Sequence, residues 1–142
     1  MSDILFFSED LDYSLKNKKN IRVWIQQVVD LNSARKISGI NYIFCTDNYL
    51  FDLNSEFLNH DTLTDIITFD HSEDDNQILA DIYISIDRIR ENSRDFNHSL
   101  EKELHRVMIH GILHLLGYKD STPDDKVIMR KKENECLNLL NI

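Results

Sequence analysis

Glycine and proline are scarce. Three glycines and one proline among 142 residues exclude a collagen-like or low-complexity chain and leave few places where the backbone is free to break. Cysteine is nearly absent as well. Cys45 and Cys136 lie far apart with no CxxC spacing, so neither a disulfide framework nor a thiolate zinc site is expected, and both read as buried thiols in a reducing compartment. No apolar run approaches the ~20 residues that a membrane span requires. The opening MSDILFFSED lacks a basic segment and its apolar run is short, so no signal or transit peptide is expected and a cytoplasmic protein follows.

Cations are also in the minority, 16 Lys and Arg against 25 Asp and Glu, for a formal charge of −9. That balance argues against tight binding to nucleic acid by overall charge, because such affinity comes from basic side chains displacing counterions. The basic residues are nevertheless clustered: Lys16, Lys18, Lys19 and Arg22; Arg88, Arg90 and Arg94; Arg130, Lys131 and Lys132. Each cluster reads first as a solvated helix face. What is abundant is core-forming material, 42% hydrophobic against 29% charged residues, enough for one domain over residues 1–142 that buries roughly 70% of its unfolded surface.

Ile4 to Phe7 suits a strand. Helical spacing of Ile21, Trp24, Ile25, Val28, Val29 and Leu31 predicts a helix closed by Ser38-Gly39, followed by a strand from Ile40 to Thr46. Asp47 is the expected N-cap of a short helix with Leu50, Phe51, Leu53, Phe57 and Leu58 facing inward. Two alternating, β-branched runs, Thr64 to Asp70 and Ile78 to Ser85, predict an antiparallel hairpin. Asp87 to Phe96 reads as helix, and Ser99 caps a longer one to Leu116 with Lys102 and Glu103 on its wet side. After Pro123, which suits the first turn, a last helix carries the apolar residues Val127, Ile128, Leu137, Leu139 and Leu140. The order predicts an α+β (mixed α/β) fold, with about four strands in a mixed sheet packed with helices.

The chemistry is concentrated in residues 107–116, VMIHGILHLL, where the only polar side chains are His110 and His114. A segment this apolar is expected to be buried, so two buried imidazoles need partners. Four residues apart, they project from one helix face, the arrangement that lets two imidazole nitrogens hold one metal ion. The pair also reads as two core histidines satisfied by backbone carbonyls. Gly117 and Asp120 favour the metal: the full pattern His110-x-x-x-His114-x-x-Gly117-x-x-Asp120 has the spacing of the extended zincin signature, in which the chain turns back to bring a third ligand. Two features depart from that signature. Gly111 replaces the Glu that serves zinc peptidases as general base, and reads as room left for a neighbouring backbone or for substrate. The third ligand is a carboxylate in place of an imidazole, which lowers the positive charge of the site.

The run His110-Gly111-Ile112-Leu113-His114-Leu115-Leu116-Gly117-Tyr118 closely resembles the signature of the YbeY family of bacterial ribosomal-RNA maturation factors. Leu53-Asn54, Thr64 to Phe69, Ala80 to Ser85, and Met129 with Glu133 are similar to further family stretches in the same order. The resemblance implies a zinc-dependent, single-strand-specific endoribonuclease, with one Zn2+ per chain, acting in 16S rRNA 3′-end maturation and late ribosome quality control. It implies His110, His114 and Asp120 as metal ligands, with Asp120 standing where the family has histidine. Leu58 occupies the position of a family arginine, so His60 and His71 become candidates for that polar role, each reading equally as a plain surface residue. Implied partners are ribosomal RNA, the small ribosomal subunit with its proteins, and an assembly GTPase.

A basic groove for RNA is expected from Arg88, Arg90, Arg94 and Arg106. The general base is unassigned. Two other readings compete: a ribosome-assembly factor that binds RNA around a structural metal, and a metallopeptidase, which Gly111 disfavours.

Overall fold

The computed structural model of the chain describes residues 3–57 and 64–141. Along them run β1 (Ile4–Ser8), α1 (Lys18–Asn32), β2 (Lys36–Cys45), α2 (Asp47–Phe57), β3 (Ile66–Asp70), β4 (Gln77–Ser85), α3 (Ile86–Asp95), α4 (Leu100–Leu115) and α5 (Pro123–Leu139). The strands form one mixed sheet in the order β1-β2-β4-β3, with β1, β2 and β4 parallel and β3 antiparallel to β4. The α+β expectation and the hairpin both hold.

Register aligns Phe6, Tyr42, Ile82 and Thr68 across all four strands. Side chains alternate between faces along a strand, so this row and its neighbours Ile40, Phe44, Ile78, Ala80 and Ile84 turn to one side. There they join Trp24, Ile25 and Val28 of α1 and Met108, Ile109 and Ile112 of α4 in the main core. The opposite face carries a smaller cluster, Cys45, Leu50 and Ile67, beneath α2, while Leu5 and Phe7 stay exposed. No helix among the described residues is long and apolar enough to cross a membrane.

Several local expectations are corrected. The first helix stops at Asn32, whose side chain bonds back to the Val28 carbonyl, and Ser33 is already extended. The second strand therefore begins at Lys36, and Gly39 falls at an irregularity in its pairing with β4, where the register shifts between Ile37 and Gly39. Leu31 is exposed, one position off the buried stripe. Thr46, one residue earlier than expected, caps α2 by accepting from the Tyr49 amide at 3.2 Å, while Asp47 bonds Ser85 and Arg88. Leu58 lies outside the described residues. In α5, Val127 and Ile128 point to solvent and the buried positions are Met129, Glu133 and Cys136. Glu103, expected on the wet side of α4, is fully buried.

α4 is fixed to the sheet at a close approach. A Cβ on Gly111 would meet Ile66 Cδ1 at 3.0 Å, Thr68 Oγ1 at 3.3 Å and Ile82 Cδ1 at 3.4 Å. The room at Gly111 is thus taken by side chains of β3 and β4 and by no neighbouring backbone. The Tyr42 hydroxyl donates to the Met108 carbonyl at 3.0 Å, and Arg35 Nη1 donates to the Leu115 carbonyl at 2.7 Å. The last carbonyls of a helix have no partner within it, so the Arg35 contact also closes the end of α4 from which the site is built.

Candidate metal centre

Ser99 caps α4 by accepting from the Lys102 amide. Sixteen residues later the helix ends in a Schellman motif: Gly117, at φ 102°, donates its amide to the His114 carbonyl, and the Tyr118 amide reaches the Leu113 carbonyl. The left-handed turn expected of Gly117 is present. Tyr118 packs on the core, and four residues further a capping box between Thr122 and Asp125, with Pro123 in the first turn, starts α5. The loop between the two helices is pinned at both ends. Asp120 sits in its middle and is carried back toward α4.

There it meets the two histidines. Nε2 of His110 lies 3.0 Å from Nε2 of His114 and 3.6 Å from Oδ2 of Asp120. One ligand atom from each of the three residues falls within 4.8 Å of the others. Ligands bound about 2.1 Å from a tetrahedral ion stand about 3.4 Å apart, so the donor set fits a divalent cation. The histidines are less enclosed than expected: most of the surrounding α4 positions are buried, but His110 is half-buried and His114 exposed. Partial desolvation, and then the charge of His110, lower the pKa of His114 and favour its neutral, ligating form.

Behind His110, Nδ1 lies 2.6 Å from Oε2 of Glu133, and Arg106 spans Glu133 and Glu103. Burial alone would raise the Glu133 carboxyl. The hydrogen bond from His110 and the charge of Arg106 outweigh it and hold the carboxyl below its ordinary value. Arg106 moves the other way: burial disfavours its charge, but hydrogen bonds and charges from the two glutamates keep it firmly cationic. Asp65, just before β3, is raised by burial against the opposing charges of Arg106 and His110, and accepts from Asn92 at 3.4 Å.

Of the residues expected to contact RNA, Arg106 is therefore an interior residue, with a side chain only 11% exposed between two carboxylates. Arg88 bridges α3 to Asp47 of α2 at 3.1 Å. Arg90 and Arg94 are exposed and pair with Asp87 and Glu91 on their own helix. His60 lies outside the described residues. The sequence alone assigns no role to Glu133, Glu103, Asp65 or His98; Asp65 and Glu133 enter only through stretches similar to the family's. Two basic side chains do border the site: Lys126 Nζ is 3.7 Å from Asp120 and Arg130 Nη1 is 3.7 Å from Glu133.

A family model described as endoribonuclease YbeY matches residues 6–141. An endoribonuclease YbeY of Flavobacterium psychrophilum is 47% identical over 139 residues, 98% of both chains, and one of Cytophaga hutchinsonii is 47% identical over 136 residues, 96% of this chain and 94% of that one. A solution structure of a protein from Thermotoga maritima superposes with a TM-score of 0.66 at 29% identity, over 96% of this chain and 88% of the other. With likeness running through the sheet, the helix of the two histidines and the returning loop alike, the chain belongs to the YbeY endoribonuclease family.

Proposed function

We propose that this chain, acting as one domain, is a zinc-dependent endoribonuclease that cuts single-stranded RNA, working in the cytoplasm on 16S rRNA 3′-end maturation and late ribosome quality control. The observation that carries the proposal is the convergence of His110, His114 and Asp120, with one ligand atom from each within 4.8 Å of the others, in a chain whose relatives are named endoribonuclease YbeY. An ion held there supplies Lewis acidity toward a phosphoryl oxygen and acidifies a water.

The chain's own residues do the rest. His110 and His114 present nitrogen lone pairs from one face of a rigid helix. Asp120 adds an anionic donor from a loop fixed at both ends, and three protein ligands leave a position open for chemistry. The exposed Arg90 and Arg94, together with Lys126 and Arg130 beside the site, offer cations to RNA phosphates. The small ribosomal subunit, its proteins or an assembly GTPase would supply affinity that an acidic chain lacks. A peptidase reading has no support at position 111, where a side chain would be driven against Ile66, Thr68 and Ile82.

The test is metal content by mass spectrometry of the purified protein beside His114→Ala and Asp120→Ala, with cleavage of a single-stranded RNA on the same samples. Near-stoichiometric zinc and cleavage, both lost in the variants, is the expected result. A protein that takes up no zinc and cuts no RNA would overturn the proposal.

A further inference from the structure

The half-buried His110 is the outer end of a line of charged groups that runs inward between α4 and α5. Oε2 of Glu133 faces Nδ1 of His110 at 2.6 Å, and Oε1 accepts from Arg106 Nη1 at 3.2 Å. The other side of the same guanidinium donates to both oxygens of Glu103, with Nε at 3.0 Å from Oε1, and His98 Nε2 lies 2.8 Å from that oxygen. Glu103 and Glu133 are buried, at 0% and 2% exposure. Two carboxylates are costly inside a protein unless their lone pairs are used, and each oxygen here has a donor.

This arrangement does more than hold two helices together. A carboxylate can only accept, so the hydrogen in the contact belongs to Nδ1 of His110. That leaves Nε2 of the same ring, the nitrogen facing His114 and Asp120, with its lone pair free. The ring cannot rotate without abandoning Glu133, and Glu133 cannot rotate without abandoning Arg106. Carboxylates behind ligating imidazoles set tautomer and orientation in this way and raise the basicity of the ligand.

We infer that Glu133 is the positioning residue of the metal site, fixing His110 as an Nε2 ligand, and that Arg106, anchored by Glu103 and His98, holds Glu133 in that role. This rests on the reading of His110, His114 and Asp120 as metal ligands. In an isosteric Glu133→Gln variant Arg106 claims the amide oxygen, so the amide NH2 faces Nδ1 of His110 and the tautomer is forced the wrong way.

The experiment measures zinc affinity of the full chain, without RNA, by competition with a chromophoric chelator, for wild type and Glu133→Gln. A companion measurement on zinc-free wild type assigns the ring protons of His110 by long-range proton–nitrogen NMR, so the outcome does not depend on how the variant folds. The expected results are a 10- to 100-fold weaker zinc affinity in the variant and a hydrogen on Nδ1 in wild type. Equal affinity in a folded variant, or a wild-type ring protonated only at Nε2, would overturn the role of Glu133 while leaving the metal reading intact. A wild type that binds no zinc would bring down the metal reading itself.

Discussion

A methyl group on Gly111 would stand 3.0 Å from Cδ1 of Ile66, so the helix that carries both histidines is set as close to β3 as a helix without a side chain at that point allows. Gly111→Ala gains about 1 kcal/mol of helix propensity and crowds the Ile66 methyl at 3.0 Å and the Thr68 hydroxyl at 3.3 Å, side-chain ends that need shift by only a few tenths of an ångström. The two effects nearly offset, and stability should change by less than about 1 kcal/mol. A larger group has no such escape: Gly111→Leu should cost about 1–3 kcal/mol or more through overpacking, and Gly111→Glu more still, because it places a carboxylate against Ile66 and Ile82. Denaturant titration of the three variants checks the ranking. A Gly111→Leu protein as stable as wild type would mean that α4 can lift from the sheet at little cost.

What the sequence disclosed follows the same division between local and distant causes. The Ser99 cap, the turn at Gly117, the antiparallel hairpin and the paired histidines of α4 are all written within a few residues of where they act, and each is found in place. The inner face of α5 was not legible. Its apolar residues Val127 and Ile128 face solvent while Glu133 faces inward, because the surface it packs on presents His110 and Arg106, partners 23 and 27 residues earlier in the chain. Hydropathy periodicity assigns a glutamate to water, and only a three-dimensional neighbour reverses that. Glu103 was misread for the same reason. The exposure of His114 was not legible because an apolar helix need not be covered on every stripe.

Trp24 and Cys136 tie the first helix to the last. The Trp24 indole nitrogen donates to the Cys136 carbonyl at 2.8 Å, one of the last four carbonyls of α5 and therefore without a partner inside that helix. Trp24→Phe keeps an aromatic ring in the core but leaves this carbonyl unpaired, and should destabilise the protein by about 1–3 kcal/mol. Amide hydrogen exchange should show the loss concentrated in the final turns of α5. Uniform loss across the sheet would place the effect in core packing instead.

His105 gives a prediction about acid. Its ring is buried against the edge of Trp24, with centroids 6.1 Å apart, and burial lowers its pKa below 6.5 despite the opposing charge of Glu101. A group whose folded pKa is depressed leaves the native state holding fewer protons than the unfolded chain. Its contribution is intact above about pH 6.5 and is lost as pH falls through the folded pKa. His114 shifts in the same direction. Metal-free wild type should therefore lose thermal stability from pH 7 to pH 5, and His105→Phe should lose less over the same interval. Melting curves at several pH values decide it, and parallel slopes for the two proteins would remove His105 as a source of acid sensitivity.

The place where RNA meets an acidic surface can be found from salt dependence. Arg90 and Arg94 lie on α3, paired with acids of their own helix, whereas Lys126 and Arg130 pair with Asp120 and Glu133 at the candidate metal site. A phosphate drawn to an ion held there would lie beside the second pair first. Each cation that displaces a counterion from single-stranded RNA contributes about 0.7 to the slope of log affinity against log salt. Lys126→Ala/Arg130→Ala should lower that slope by about 1.4 and weaken binding at low salt more than at high salt. Arg90→Ala/Arg94→Ala should do so only if the strand also runs along α3. Binding of a single-stranded oligonucleotide to zinc-loaded protein, measured by anisotropy across a salt series, separates the two tracks. A slope unchanged by the first pair but reduced by the second would move the RNA path off α5 and onto α3.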